Sequence, residues 1–375
     1  MSQAQVLQGR ILTAQGWLLG RLFFEHGRIQ RLEEDASVAA DQIILPGFID
    51  LHVHGGEGVD IMRGGDAAQH VARAHARHGT TAMLGTTMTA HAAEIERALQ
   101  GLAGAIAQRD PAGARVLGVH LEGPFLNHRR LGAQPPLVVQ ATLEGVQRLH
   151  AIAPVKVLTL APEVSGHLAL IPALCEMGIR VQLGHSAGTY EDGLAALQAG
   201  AAGFTHLFNG MTPLNHRDPG MVGAALAHAE FAELIPDLHH VHPGALRAAM
   251  RCIPKAYGVT DATAATGMPD GEYALGLQRV MKCFGCVRLV LGDSLAGSAL
   301  TMDQALRNLV SIGLDLADAS RRLSQYPAEY LGLQDERGIL QAGAWADLVV
   351  MDAELQVRNV FVEGSAIDLA GSGVA

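Results

Sequence analysis

Between Pro46 and about Leu331 the chain repeats one rhythm: a short apolar run, a turn, then an alanine-rich stretch with helical spacing. The apolar runs at 47–52, 80–86, 115–121, 155–160, 180–184, 202–206, 232–237 and 256–260 have the length of buried strands. Alanine-rich stretches at 67–78, 92–107, 168–177, 190–198 and 243–252 predict helices, several of them stopped by a glycine. Eight such units predict an α/β fold built as a (β/α)8 TIM-type barrel, whose chemistry gathers at the carboxyl ends of its strands.

The two ends of the chain read differently. Val6 to Leu12, Gly16 to Leu19, Arg21 to Glu25 and Arg28 to Leu32 alternate apolar and polar residues, with His26-Gly27 as a turn, and Gly338 to Leu340, Ala346 to Met351 and Val357 to Val362 do the same. Residues 1–45 together with 335–375 are therefore expected to form one small β-sandwich domain from both termini, and 46–334 the barrel.

Composition narrows the ligand. A net charge of −10 with no lysine or arginine cluster argues against a nucleic-acid or anionic-membrane surface, so the partner should be a small molecule. No apolar run approaches the ~18 residues of a spanning helix, and the polar Met1 to Arg10 does not read as a secretory signal. Four cysteines in 375 residues do not form a disulfide framework; Cys283-Phe-Gly-Cys286, without a second pair, reads as two buried thiols near a strand. A cytoplasmic protein is expected.

Candidate chemistry sits where the apolar runs stop. Val116 to Leu121 ends in Glu122 before Gly123-Pro124, Val181 to Gly184 ends in His185, and Gly203 to Thr205 ends in His206. The first strand delivers His52 and His54, two apart and so on one face of an extended chain. A carboxylate and four imidazoles at strand ends are a ligand set for a divalent cation. The eighth strand brings Asp261 to the same rim, where a carboxylate beside a cation can accept a proton and give it back. Of His239, His240 and His242, alternation puts the last two on one face, and His242 before Pro243 reads as a helix start. His70, His75 and His78 lack ligand spacing and read as solvated helix residues.

Leu45-Pro46-Gly47-Phe48-Ile49-Asp50-Leu51-His52-Val53-His54-Gly55 resembles the first barrel strand of the amidohydrolase superfamily. His120 to Asn127, Gly184-His185-Ser186, Thr205 to Leu214, His216 to Gly220, Val259 to Ala262, Gly267 to Tyr273 and Leu295 to Asp303 resemble, within it, the N-acetylglucosamine-6-phosphate deacetylases over essentially the whole chain. The resemblance implies a hydrolase that releases acetate from N-acetylglucosamine 6-phosphate, in amino-sugar catabolism or cell-wall sugar recycling. It implies that Glu122, His185 and His206 hold the principal divalent metal and that Asp261 is the catalytic acid and base. The metal would be zinc, with iron, manganese or cobalt as other choices, and His52 and His54 leave a second site open, so one or two ions per subunit. Sugar-phosphate contacts would fall on Ala133, Gln134, Asn209, Gly210, Arg217, His240, Leu295, Ala296 and Gly297, with Arg217 supplied across a homodimer. At Gln134 some members have a histidine that polarises the acetyl carbonyl; an amide can donate there but cannot carry a proton. The alternatives are another amidohydrolase, such as a cyclic amidase or a deaminase, or a non-catalytic metal-binding scaffold.

Overall fold

Four strands open the chain: β1 (Gln5–Thr13), β2 (Gly16–Glu25), β3 (Arg28–Glu34) and β4 (Ile43–Pro46). The computed structural model describes residues 4–292 and 294–370, so the outermost residues expected in the terminal domain, 1–3 and 371–375, lie outside the description. The two runs read as separate strands at 16–19 and 21–25 are one strand, because Gly20 sits in the ladder opposite Gly9. The turn from β2 to β3 has positive φ at both His26 and Gly27, the backbone that matches strand twist in a two-residue hairpin.

The barrel follows as β5 (Phe48–Val53), α1 (Ala67–Ala76), β6 (Thr80–Thr86), α2 (Ala92–Ala107), β7 (Arg115–Glu122), α3 (Leu143–Ile152), β8 (Val155–Leu160), α4 (His167–Glu176), β9 (Arg180–Leu183), α5 (Tyr190–Gln198), β10 (Gly203–Phe204), α6 (Gly220–His228), β11 (Phe231–Leu234), α7 (Pro243–Cys252) and β12 (Lys255–Gly258). β5 to β10 form one parallel sheet and β11 pairs with β12 in parallel. Two seams complete the ring. Leu207 N–H donates to Glu233 O (2.8 Å) between the sixth and seventh strands, and Asp261 N–H donates to His52 O (2.9 Å) between the eighth and the first. The strands are buried on both faces, which is why they read as unbroken apolar runs rather than as alternation.

Beyond the barrel strands come an antiparallel sheet of β13 (Gly271–Leu275), β14 (Gln278–Cys283) and β15 (Cys286–Leu289), then α8 (Met302–Ser311), α9 (Leu316–Leu323) and α10 (Gln325–Tyr330). The chain returns through β16 (Leu348–Met351), β17 (Val357–Val362) and β18 (Ser365–Ala366) to the first strands, giving a seven-stranded mixed sheet ordered β18-β17-β16-β4-β1-β2-β3. It has its own apolar cluster, including Ile11, Leu22, Phe24, Ile44, Leu348 and Phe361, with the Phe24 and Phe361 rings edge to face at 5.2 Å. No helix among the described residues is long and apolar enough to cross a membrane.

Three further expectations fail. Gly338 to Leu340 is not a strand. Cys283 and Cys286 are not buried; they flank the β14–β15 turn as free thiols, one exposed and one half-buried. His75 is not solvated: α1 buries seven of its ten residues, and His75 bonds Gly55 O at 2.9 Å with its pKa pushed down to about 4 by burial.

The terminal sheet is tied to the barrel by charge. Glu363, in the β17–β18 turn, takes a two-pronged contact from Arg115 (2.9 and 2.8 Å) and further contacts from Arg109 and Arg337, the last also paired with Asp347. Burial opposes ionisation of Glu363, but the hydrogen bonds and charges of Arg115 and Arg337 outweigh it and hold its pKa at about 2. A depressed carboxylate contributes stability that is present above its ordinary value of 4.5 and lost as pH falls through about 2. Glu363→Gln is therefore expected to cost about 3 kcal/mol at neutral pH, because it takes the shared carboxylate from Arg115 and Arg109 and leaves Arg337 with Asp347 alone. Urea unfolding checks this: the deficit against wild type should shrink below pH 4.5, and a pH-independent deficit would contradict it.

Candidate active site

Glu122 is the last residue of β7 and is 2% exposed. Gly123 (φ 82°) then turns the chain so close to Thr89 that a Cβ would meet its Oγ1 at 2.2 Å, so only glycine fits. His185, His206 and Asp261 follow β9, β10 and β12, and all three have left-handed backbone, with φ of 46°, 29° and 51°. That conformation costs a non-glycine residue about 1 kcal/mol or more, and such strain clusters at functional sites. It recurs at three strand ends of one barrel mouth.

The side chains converge in two groups that share Glu122. In the first, Glu122 Oε1 lies 3.1 Å from His185 Nε2 and 3.0 Å from His206 Nε2, with those two nitrogens 3.2 Å apart. In the second, Glu122 Oε2 lies 3.5 Å from His52 Nε2 and 3.3 Å from His54 Nε2, the two nitrogens are 3.2 Å apart, and Asp261 Oδ1 is 3.4 and 3.2 Å from them. Donor atoms about 2.0–2.2 Å from a tetrahedral centre stand roughly 3.3–3.6 Å from one another. Both groups have nearly that spacing.

Tautomers sharpen the point. His185 Nδ1 is 2.8 Å from Arg130 O, and a carbonyl only accepts, so Nδ1 carries the proton and Nε2 turns a lone pair toward Glu122. His52 Nδ1 donates to Glu233 Oε2 (2.9 Å), leaving its Nε2 lone pair facing Glu122, Asp261 and His54. Acceptors turned on acceptors in a buried site call for positive charge. Burial works against protonating His52 and His54, yet the carboxylates of Glu122 and Asp261 outweigh it, raising His52 well above its ordinary value and His54 to about 9. A divalent cation meets the same demand, and the nitrogen and oxygen donors suit one.

These groups floor a cavity of about 300 Å³, the lower end of the range for small-ligand sites. Its walls bring together the expected Ala133, Gln134, Asn209, Gly210, His240, Leu295 and Gly297, along with Met88, Gly132, Leu275 and Ser294. Gln134 is clamped: its Oε1 accepts from Thr89 N–H (2.7 Å) and its Nε2 donates to Glu122 Oε2 (2.8 Å). His240 bonds Asp237 at 2.7 Å; burial opposes its protonation, but that bond and charge outweigh it and raise its pKa. His242 caps α7 as expected, accepting from Gly244 N–H. Two expected residues do not join them. Ala296 is wholly buried behind the wall, and Arg217 lies outside the cavity on the exposed loop between β10 and α6.

Sequence reasoning passed over several supports. Glu233 is fully buried and bonds both His52 Nδ1 and His206 N–H. Glu163 bonds Ser186 Oγ (2.7 Å) and Ala187 N–H (2.6 Å), fixing the turn that carries His185. Asp50, raised to about 7 by burial against its hydrogen bonds, accepts from Thr260 Oγ1 (2.6 Å) and ties the first strand to the eighth below the site. Glu233 carried a readable signal, the one that marked Glu122: a lone carboxylate in an apolar strand.

Comparison with known proteins agrees with this geometry. Residues 43–367 match the amidohydrolase family. The chain is 40% identical to an N-acetylgalactosamine-6-phosphate deacetylase of Escherichia coli O157:H7, covering 95% of this chain and 97% of that one. It is 39% identical to an N-acetylglucosamine-6-phosphate deacetylase of Vibrio furnissii, covering 92% and 89%. A solved mutant N-acetyl-D-glucosamine-6-phosphate deacetylase from Mycobacterium smegmatis, in complex with N-acetyl-D-glucosamine-6-phosphate, superposes with a TM-score of 0.90 at 33% identity, covering 98% of this chain and 100% of that one. This barrel, matched over residues 43–367, belongs to the amidohydrolase family.

Proposed function

We propose that this chain is a metal-dependent hydrolase that removes the acetyl group from N-acetylglucosamine 6-phosphate, giving glucosamine 6-phosphate and acetate. The observation that carries the reading is the convergence of Glu122, His185, His206 and Asp261 at one barrel mouth. Glu122 Oε1, His185 and His206 would hold the principal cation, and Glu122 Oε2, His52, His54 and Asp261 a second; the donor set favours zinc. A bound cation supplies Lewis-acid polarisation of a carbonyl and makes water acidic enough to deprotonate near neutral pH.

The chain's own groups do the rest. Asp261 must begin ionised, and although burial opposes this, the charges of His52 and His54 hold its pKa down. It takes the proton from the attacking water and then delivers it to the sugar nitrogen, which cannot leave as an amide anion. Gln134 spends one N–H on Glu122, and its Nε2 otherwise meets only the weak acceptor Met88 Sδ (3.6 Å), a contact that an acyl oxygen would displace.

Among the described residues, no lysine or arginine lines the cavity. The phosphate therefore needs a cation from elsewhere, and Arg217 is our candidate, reaching the site from the second subunit of a homodimer. Arg217→Ala should raise KM for the phosphorylated sugar about 50-fold, the scale of a lost charge-assisted contact, while leaving unphosphorylated N-acetylglucosamine unchanged. Equal effects on both sugars would remove that role. The free cysteines fit a reducing cytoplasm.

Acetate release tests the whole reading, with N-acetylglucosamine 6-phosphate and its C4 epimer, N-acetylgalactosamine 6-phosphate, assayed side by side before and after chelation. Faster turnover of the gluco epimer, lost on chelation and restored by zinc, is expected. Turnover of a cyclic amide or an aminated purine in place of either sugar would replace the reading with another amidohydrolase activity.

A further inference from the structure

Glu233 ends no strand and is not among the residues that line the active-site cavity, yet it is an ionisable group with no exposed surface in β11. A carboxylate in that position is costly unless it is bonded and its charge matched. Its Oε2 accepts from His52 Nδ1 at 2.9 Å and from the backbone N–H of His206 at 3.1 Å. One oxygen thus joins one residue of each ligand group. The first contact fixes the His52 tautomer, because a ring whose Nδ1 donates must present a bare Nε2, here within 3.5 Å of Glu122, Asp261 and His54. The second braces the left-handed His206 at the point where its strand stops.

The neighbouring imidazole does not share this task. His120 lies at 3.9 Å from Glu233 Oε1, but its Nδ1 is engaged by Leu51 O (3.0 Å) and its Nε2 by Thr159 Oγ1 (2.7 Å). Neither of its nitrogens is left to hold Glu233 or a cation. Of the two imidazoles, Glu233 is hydrogen-bonded to that of His52.

We infer that Glu233 is a positioning residue: by holding the His52 tautomer it sets whether the His52–His54 half of the site binds a cation, and hence whether the subunit takes one ion or two. This rests on the two-cation reading above. Carboxylates behind a ligating histidine typically change metal affinity 10–100-fold when altered. Glu233→Gln keeps the shape and an acceptor oxygen but removes the charge that favours proton donation from Nδ1.

The test is zinc binding by equilibrium dialysis and calorimetry on the intact protein, starting from the metal-free form, for wild type, Glu233→Gln, His52→Ala and the double variant. Wild type is expected to take two zinc ions, and Glu233→Gln to keep the tighter one while binding the other about 10–100-fold more weakly. With His52 already removed, Glu233→Gln should change zinc affinity no further. A purely structural role would lower the unfolding midpoint of the metal-free protein and leave the stoichiometry alone. Unchanged affinities in Glu233→Gln overturn the inference, as does additivity in the double variant. A wild type that holds one ion and still releases acetate overturns it while leaving the deacetylase reading intact, whereas a wild type that binds no zinc defeats both. Should Glu233→Gln fold poorly, Glu233→Asp, which keeps the charge but shortens the reach, is expected to show the same selective loss of the second ion, and two ions bound at wild-type affinity would overturn the inference.

Discussion

Asp261→Asn is expected to lower kcat by about 10³-fold with KM within about threefold of wild type, the pattern of an interaction made in the transition state and not in substrate binding. Asparagine keeps the size of the side chain and the left-handed backbone it needs, since Asn tolerates that region well. It cannot take a proton from water or return one to nitrogen. Because Asp261 stands 3.2–3.4 Å from His52 and His54, the variant should also weaken the second cation, but the principal position, made by Glu122 Oε1, His185 and His206, should remain filled. Single-turnover assays at saturating substrate check the rate, and metal analysis checks the occupancy. A loss confined to KM would reassign Asp261 to binding.

Glu122→Gln should be more damaging and for a different reason. Its two oxygens face different groups, Oε1 toward His185 and His206 and Oε2 toward His52 and His54, so one substitution weakens both positions. It also unseats Gln134, whose Nε2 donates to Oε2. Burial alone would raise the Glu122 pKa, but the His52 charge and the imidazoles of His185 and His206 set against it hold it well down, so it is a full anion at working pH. A neutral amide presents one oxygen and turns an NH2 toward the other group. Bound metal should fall below one ion per subunit and activity by more than about 10³-fold, with partial recovery in excess zinc, as expected when affinity and not chemistry is lost. Asp261→Asn should show no such recovery. Full metal content with lost activity in Glu122→Gln would contradict the assignment.

Much of this was legible in the chain because burial on both faces writes a parallel barrel as apolar runs, and a lone polar group at the end of such a run stands out. Glu122, His185, His206 and Asp261 were visible that way. Glu233 showed the same lone carboxylate in an apolar run, but less plainly, since it sits inside its strand with Leu234 and Ile235 after it, and nothing local says that its partner is 181 residues away. The β13–β15 sheet was missed because its strands are short and glycine-punctuated at Gly271, Gly276 and Gly285, a pattern shared with ordinary loops. In α1 alanines occupy both faces, so the helix shows little of the polar side on which a solvated His75 was expected. Arg217 came from the family resemblance, and chain spacing carries no information about which subunit an exposed loop serves.

The most direct test of the central claim is an anomalous difference map from crystals grown with zinc, collected on either side of the zinc edge. A peak is expected within about 2.2 Å of Glu122 Oε1, His185 Nε2 and His206 Nε2, and a second beside Glu122 Oε2, His52 and His54. Zinc bound at full occupancy anywhere else, with those three atoms unliganded, would contradict it.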